Sequence, residues 1–139
     1  MKKFTGWGSG RPVSLAHVAM WTNDGRWFTN NMKEFVDHMC TTTSDRQLLI
    51  EDEPALINVE DGVGAIYNVY LAGVAETIAE RYSLPCPAWT NEPSRFLLEP
   101  VHFGGKHSRE MFTEETPLCM SRRNLFCGSV RLRSIRGKN

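Results

Sequence analysis

Between Gly62 and Tyr82 the residues Val63, Ile66, Tyr67, Tyr70, Leu71, Val74, Ala75, Ile78, Ala79 and Tyr82 recur at steps of three and four, and Pro85 and Pro87 follow at once. Apolar residues at that spacing line one broad face of an α-helix. Asn68, Glu76, Thr77, Glu80 and Arg81 fall largely on the other side. The tyrosines and small alanines suit close helix–helix packing. Proline fixes its own φ and drives the residue before it out of the helical region, so the helix ends near Ser83 and an extended corner begins. Trp89 sits in that corner, with Phe96 and Leu97 shortly after it. A large ring in a rigid corner either plugs a core, with a partner for its indole N–H, or anchors a binding surface.

A fold organised by this helix is mainly α. The sequence predicts a compact, single-domain helical bundle with an irregular Pro-rich corner and, after Gly128, the option of a short terminal strand. Its 139 residues suit one domain. Residues 1–30 read as an irregular lead holding one short helix or strand, because Leu15, Val18, Ala19 and Trp21 fit either period. Residues 31–130 read as the helical domain and 131–139 as a basic C-terminal tail. Within the domain, Met32, Phe35, Val36 and Met39 follow helical spacing. Asp45 is placed to cap a helix from Arg46 to Glu53, Ser108 one through Phe112, and Thr116 one with Pro117 at its first position. The acidic stretch 51–61 reads as a solvated linker.

Charge is balanced overall, with 16 basic and 16 acidic side chains. It is not evenly spread. Every acidic residue precedes Ser121, whereas Arg122, Arg123, Arg131, Arg133, Arg136 and Lys138 follow it. Arg131, Arg133 and Arg136 are therefore candidates for nucleic-acid contact, with a solvated segment as the alternative. Arg122 and Arg123 can grip a carboxylate or phosphate on a partner, or pair with the acidic body of the chain itself. Trp7, Trp21, Trp27 and Phe28 are candidates for a homodimer surface or for core packing.

Chemistry is sparse. His102, His107, Cys119 and Cys127 match no standard zinc spacing, and the neighbours of both cysteines are apolar. His17 and His38 lie on apolar helical faces and read as structural groups. Gly62-Val63-Gly64 and Gly104-Gly105 lack the lysine and spacing of a phosphate loop. No catalytic residue, metal site or cofactor is expected, and the alternative to a binding role is a small ligand-binding domain or enzyme that would use His102, His107 and a cysteine. No apolar run reaches the ~18 residues of a membrane helix, and the first residues are too polar and glycine-rich for a signal-peptide core. With four cysteines and no CxxC, a cytoplasmic protein with reduced thiols is the expectation.

From Met32 to Val130 the order of segments resembles the all-helical domain that follows a helix-turn-helix in bacterial antitoxin-like transcriptional regulators. The resemblance is carried by Lys33-Glu34-Phe35-Val36-Asp37, by Leu48-Leu49-Ile50-Glu51-Asp52-Glu53-Pro54 and by Tyr70-Leu71-Ala72-Gly73-Val74-Ala75-Glu76 with Ala79-Glu80-Arg81. It continues through Leu84-Pro85-Cys86-Pro87-Ala88-Trp89, Pro93-Ser94-Arg95-Phe96-Leu97, Thr116-Pro117 and Ser121-Arg122-Arg123-Asn124-Leu125-Phe126. The residues before Asn31 leave no room for the family's DNA-binding part. What the resemblance implies is a bacterial, non-enzymatic protein-interaction module of mobile-element or gene-cassette type. Its partner would be a protein, with a toxin as the narrower expectation. Trp89, Phe96, Arg122 and Arg123 are then the expected partner-binding residues.

Overall fold

The computed structural model describes residues 13–129 apart from Thr43, Glu60 and Asp61. It is mainly helical. Five α-helices stand among the described residues: α1 (Leu15–Asn23), α2 (Phe28–Thr41), α3 (Gly64–Tyr82), α4 (Arg109–Glu115) and α5 (Leu118–Ser121). Two-residue strands β1 (Val101–His102) and β2 (Leu125–Phe126) pair in parallel. Short 3₁₀ turns occupy Arg46–Leu49, Ala88–Asn91 and Pro93–Arg95.

The ambiguous segment near Leu15 is a helix. Ser14 and His17 supply its entry: the Ser14 backbone N–H donates to His17 Nδ1 at 2.9 Å. His17 is thus occupied in building the helix start. α1 packs against α2, and Leu15, Val18 and Phe35 are fully buried. The segment expected as a helix from Arg46 to Glu53 is only the 3₁₀ turn 46–49, and Asp45 makes no side-chain cap there.

α3 is the hub. The corner, α5 and β2 all pack on it. Leu71, Ala72, Gly73, Val74 and Ala75 are consecutive and all buried, so the middle of this helix is enclosed on every side rather than on one face. Gly73 makes one of those contacts possible. A Cβ there would run into the Met120 thioether from α5, which is itself fully buried.

Asn68 corrects the polar-face assignment. It is buried, accepts from the Ile57 N–H at 2.7 Å and donates to the Ile57 carbonyl at 3.3 Å. The reason is that the acidic stretch does not hang loose in its described part. It is laid across the body and held by its backbone. Asn23 brackets Leu56 and Asn58, Asn68 grips Ile57, and Arg95 reaches the Pro54 carbonyl at 2.6 Å. Ile57 is buried beneath. A buried backbone amide must find a partner, and three side chains provide it where no helix or sheet does. The expected strand beyond Val130 lies outside the described residues.

Candidate functional site

The four expected partner contacts lie around one corner. Trp89 is 5% exposed, and its indole N–H donates to the Ile50 carbonyl at 3.0 Å. It is a core plug. Arg95 lies over its ring, 4.8 Å from the centroid, and is fully buried. Arg123 is also fully buried. Its guanidinium donates to Glu76 Oε1 at 2.6 Å and to the Thr90 carbonyl at 2.8 Å, and it covers Phe96 at 4.7 Å. Arg122 donates to the same Glu76 oxygen at 2.9 Å and lies 5.5 Å from the Phe96 ring.

Burial pulls the pKa of Arg95 and of Arg123 down, and nearby carboxylates oppose that shift. Two buried guanidiniums are tolerable because both donate to backbone carbonyls and stack on rings. The arginine pair therefore closes the fold on itself through Glu76. Trp89 and Arg123 have almost no surface to offer a partner, which corrects the expectation that they touch one. Only Arg122 and the half-buried Phe96 keep outward surface. Arg131, Arg133 and Arg136 lie outside the described residues.

The histidines and cysteines considered for metal are held in separate settings. His102 stacks on Phe126 with centroids 4.6 Å apart, and its Nδ1 meets Thr113 Oγ1 at 3.1 Å. Cys119 Sγ faces Thr77 Oγ1 at 3.2 Å. His107 is exposed. Burial pushes the Cys127 thiol up to about 11 and raises that of Cys119, so neither is poised as a nucleophile at neutral pH. Among the described residues no three His, Cys, Asp or Glu side chains gather around a common point.

The outward-facing aromatic surface lies elsewhere, at the turn between α1 and α2. The four aromatic residues expected to act together there divide. Trp21 is in the core, Phe28 is half-buried, Trp27 is 76% exposed, and Trp7 lies outside the described residues. Trp27 is held on a braced turn. Gly25 adopts φ 102°, a left-handed conformation that suits glycine. Asn31, buried, donates to Thr22 Oγ1 at 2.9 Å and to the Arg26 carbonyl at 3.4 Å. The Arg26 N–H returns to the Trp21 carbonyl at 3.0 Å, and its guanidinium sits 5.0 Å from the Trp21 ring centroid.

Shallow hollows of ≈ 490 and ≈ 380 Å³ both include Trp27 in their walls. The second shares Phe28 and Tyr67 with a third hollow of ≈ 300 Å³, completed by Met32, Ile66, Tyr70 and Phe103. Phe28 stacks on Tyr67 at 4.0 Å and meets Tyr70 edge-on at 6.1 Å. Burial pushes the Tyr70 hydroxyl up to about 12, so it stays neutral across ordinary pH. The result is a row of aromatic side chains over α2 and α3 with Trp27 at one end.

No family model, curated protein or solved structure matches this chain. Geometry alone therefore describes the site. It provides rigid aromatic surface and almost no reactive chemistry.

Proposed function

We propose that this chain is a non-enzymatic protein-interaction module whose contact surface is the Trp27 turn and the adjoining Phe28–Tyr67–Tyr70 row. The observation that carries this reading is Trp27, 76% exposed on a turn fixed by Gly25 and Asn31. A tryptophan has only two side-chain torsions to immobilise, its backbone here is already braced, and an aromatic anchor of this kind supplies much of an interface's energy. The flanking hollows give a partner side chain somewhere to fit. No helix among the described residues is long and apolar enough to cross a membrane.

The narrower reading is an antitoxin-like, cytoplasmic module of a bacterial mobile element that holds a toxin. Its support is the sequence resemblance, with Arg122 and Phe96 as a second, smaller contact. The test is a tagged pull-down from the native host, read by mass spectrometry, followed by expression of the captured partner alone and with this chain. One stoichiometric protein, toxic alone and harmless when co-expressed, is the expected result. A chain that elutes alone argues against an interaction module. A harmless partner removes the antitoxin-like role and leaves the interaction.

A further inference from the structure

A second surface, on the α5 side of α3, differs in chemistry from the aromatic row. The C-terminal half of α3, the corner and α5 enclose a groove of ≈ 920 Å³. Ala79, Leu84, Pro117 and Leu118 give it apolar walls, and Leu118 is 74% exposed. Glu76, Glu80 and Glu115 also line it, against a single cation, Arg122. Glu76 is partly spent on the two arginines, whereas Glu80 and Glu115 make no ion pair among the described residues. An exposed leucine and two such carboxylates in one lining match a segment that is apolar and basic by turns.

Such a segment exists in the chain. Ser129 lines the groove. The sequence that follows it alternates Val130, Leu132 and Ile135 with Arg131, Arg133 and Arg136. We propose that the groove is the docking site for residues 130–139 of the same chain. Ten residues span up to about 33 Å when extended, and this segment starts at the groove wall. Tethering at Ser129 keeps its local concentration high, on the order of millimolar, without any loop to close. The aromatic hollow also touches Ser129, but no carboxylate lines it, so charge selects the α5 groove. Docked there, Arg131, Arg133 and Arg136 are withdrawn from phosphate, and the segment acts as an internal ligand.

The test uses the whole 139-residue chain. A fluorescent peptide of residues 130–139 is titrated, at low salt, onto wild type and onto a chain with Arg131→Ser, Arg133→Ser and Arg136→Ser. The peptide is expected to bind the substituted chain at least tenfold more tightly, because the wild-type groove is already filled. Adding Glu80→Gln and Glu115→Gln to the substituted chain weakens binding at least tenfold. Glu99→Gln with Glu110→Gln, the same charge change at exposed positions outside the groove, leaves it intact. Equal binding to wild type and substituted chain, no binding to either, or equal losses in the two glutamine pairs would overturn the assignment. So would a concentration-dependent dimer dispersed by Glu80→Gln and Glu115→Gln, which would put the segment in a second copy. Duplex DNA bound equally well with and without those two substitutions would show the segment free, with the same consequence.

Discussion

Trp89 and Trp27 stand in corners of similar make-up and opposite exposure. Each has an arginine nearby, a proline or glycine that shapes the backbone, and a side chain that braces it. At Trp89 the arginine lies over the ring, and the indole N–H is satisfied by a carbonyl 39 residues away. At Trp27 the neighbouring arginine covers Trp21 instead, and the Trp27 ring is left outside. Residue type alone does not assign a role. What separates a plug from an anchor is whether distant backbone comes to meet the ring.

Truncating each tryptophan separates the two roles most strongly. Trp89→Ala is expected to cost roughly 3–5 kcal/mol, the range for emptying a large buried aromatic site. Chemical denaturation with an unchanged m-value would measure it. Trp27→Ala is expected to shift stability by under ~0.5 kcal/mol, as an exposed position should. Equal losses at the two sites would erase the distinction.

The arginine pair extends the same contrast to charge. Arg123→Ala leaves a partly buried Glu76 short of its main partner and is expected to cost on the order of 3 kcal/mol. Arg122→Ala removes a solvent-screened pair and should cost about 0–1 kcal/mol. Thermal melts of the two variants, with the double variant to expose their coupling through one carboxylate oxygen, would separate them. Next in size, Asn68→Ala unfastens both bonds to Ile57 and should cost roughly 2 kcal/mol. Faster exchange of the Ile57 amide would show that the strap over α3 has been released.

The smallest expected effect concerns the thiols. Burial moves Cys127 from the ordinary 9.0 to about 11. A raised acid pKa favours the folded state in full below pH 9, and the advantage fades as pH climbs through 11. Near neutral pH, alkylation followed by mass spectrometry should therefore label the exposed Cys86 before Cys127. Rapid labelling of Cys127 would reopen a catalytic reading.

Much of the scaffold was legible because its signals are local. Apolar spacing across residues 62–82, ended by Pro85 and Pro87, specifies α3 and the corner; for Trp89 the sequence leaves plug and anchor open, and only its burial and its bond to Ile50 decide for the plug. Asn68 was misplaced for a physical reason. A helical wheel records which side a residue occupies but not whether a strap will cover that side. Arg95 escapes in the same way, since its carbonyl partner is 41 residues away; for Arg123 the pairing with an acidic residue of the body is one of the two sequence readings, and only its carbonyl partner 33 residues away is not. The β1–β2 pair consists of two residues per strand, too short for any period to show. At the candidate site, the aromatic cluster near residue 27 was visible in the sequence. Its division into core and surface depends on the turn at Gly25 and on Asn31, which only the folded chain reveals.

The most direct measurement pairs melting temperature with partner retention for Trp27→Ala beside the wild type, both tagged and recovered from the same host. A module that binds through this turn keeps its melting temperature and loses its partner, by at least ~30-fold in affinity for a hot-spot residue of ~2 kcal/mol. An unchanged melting temperature together with unchanged partner recovery would contradict the assignment of this turn as the contact surface.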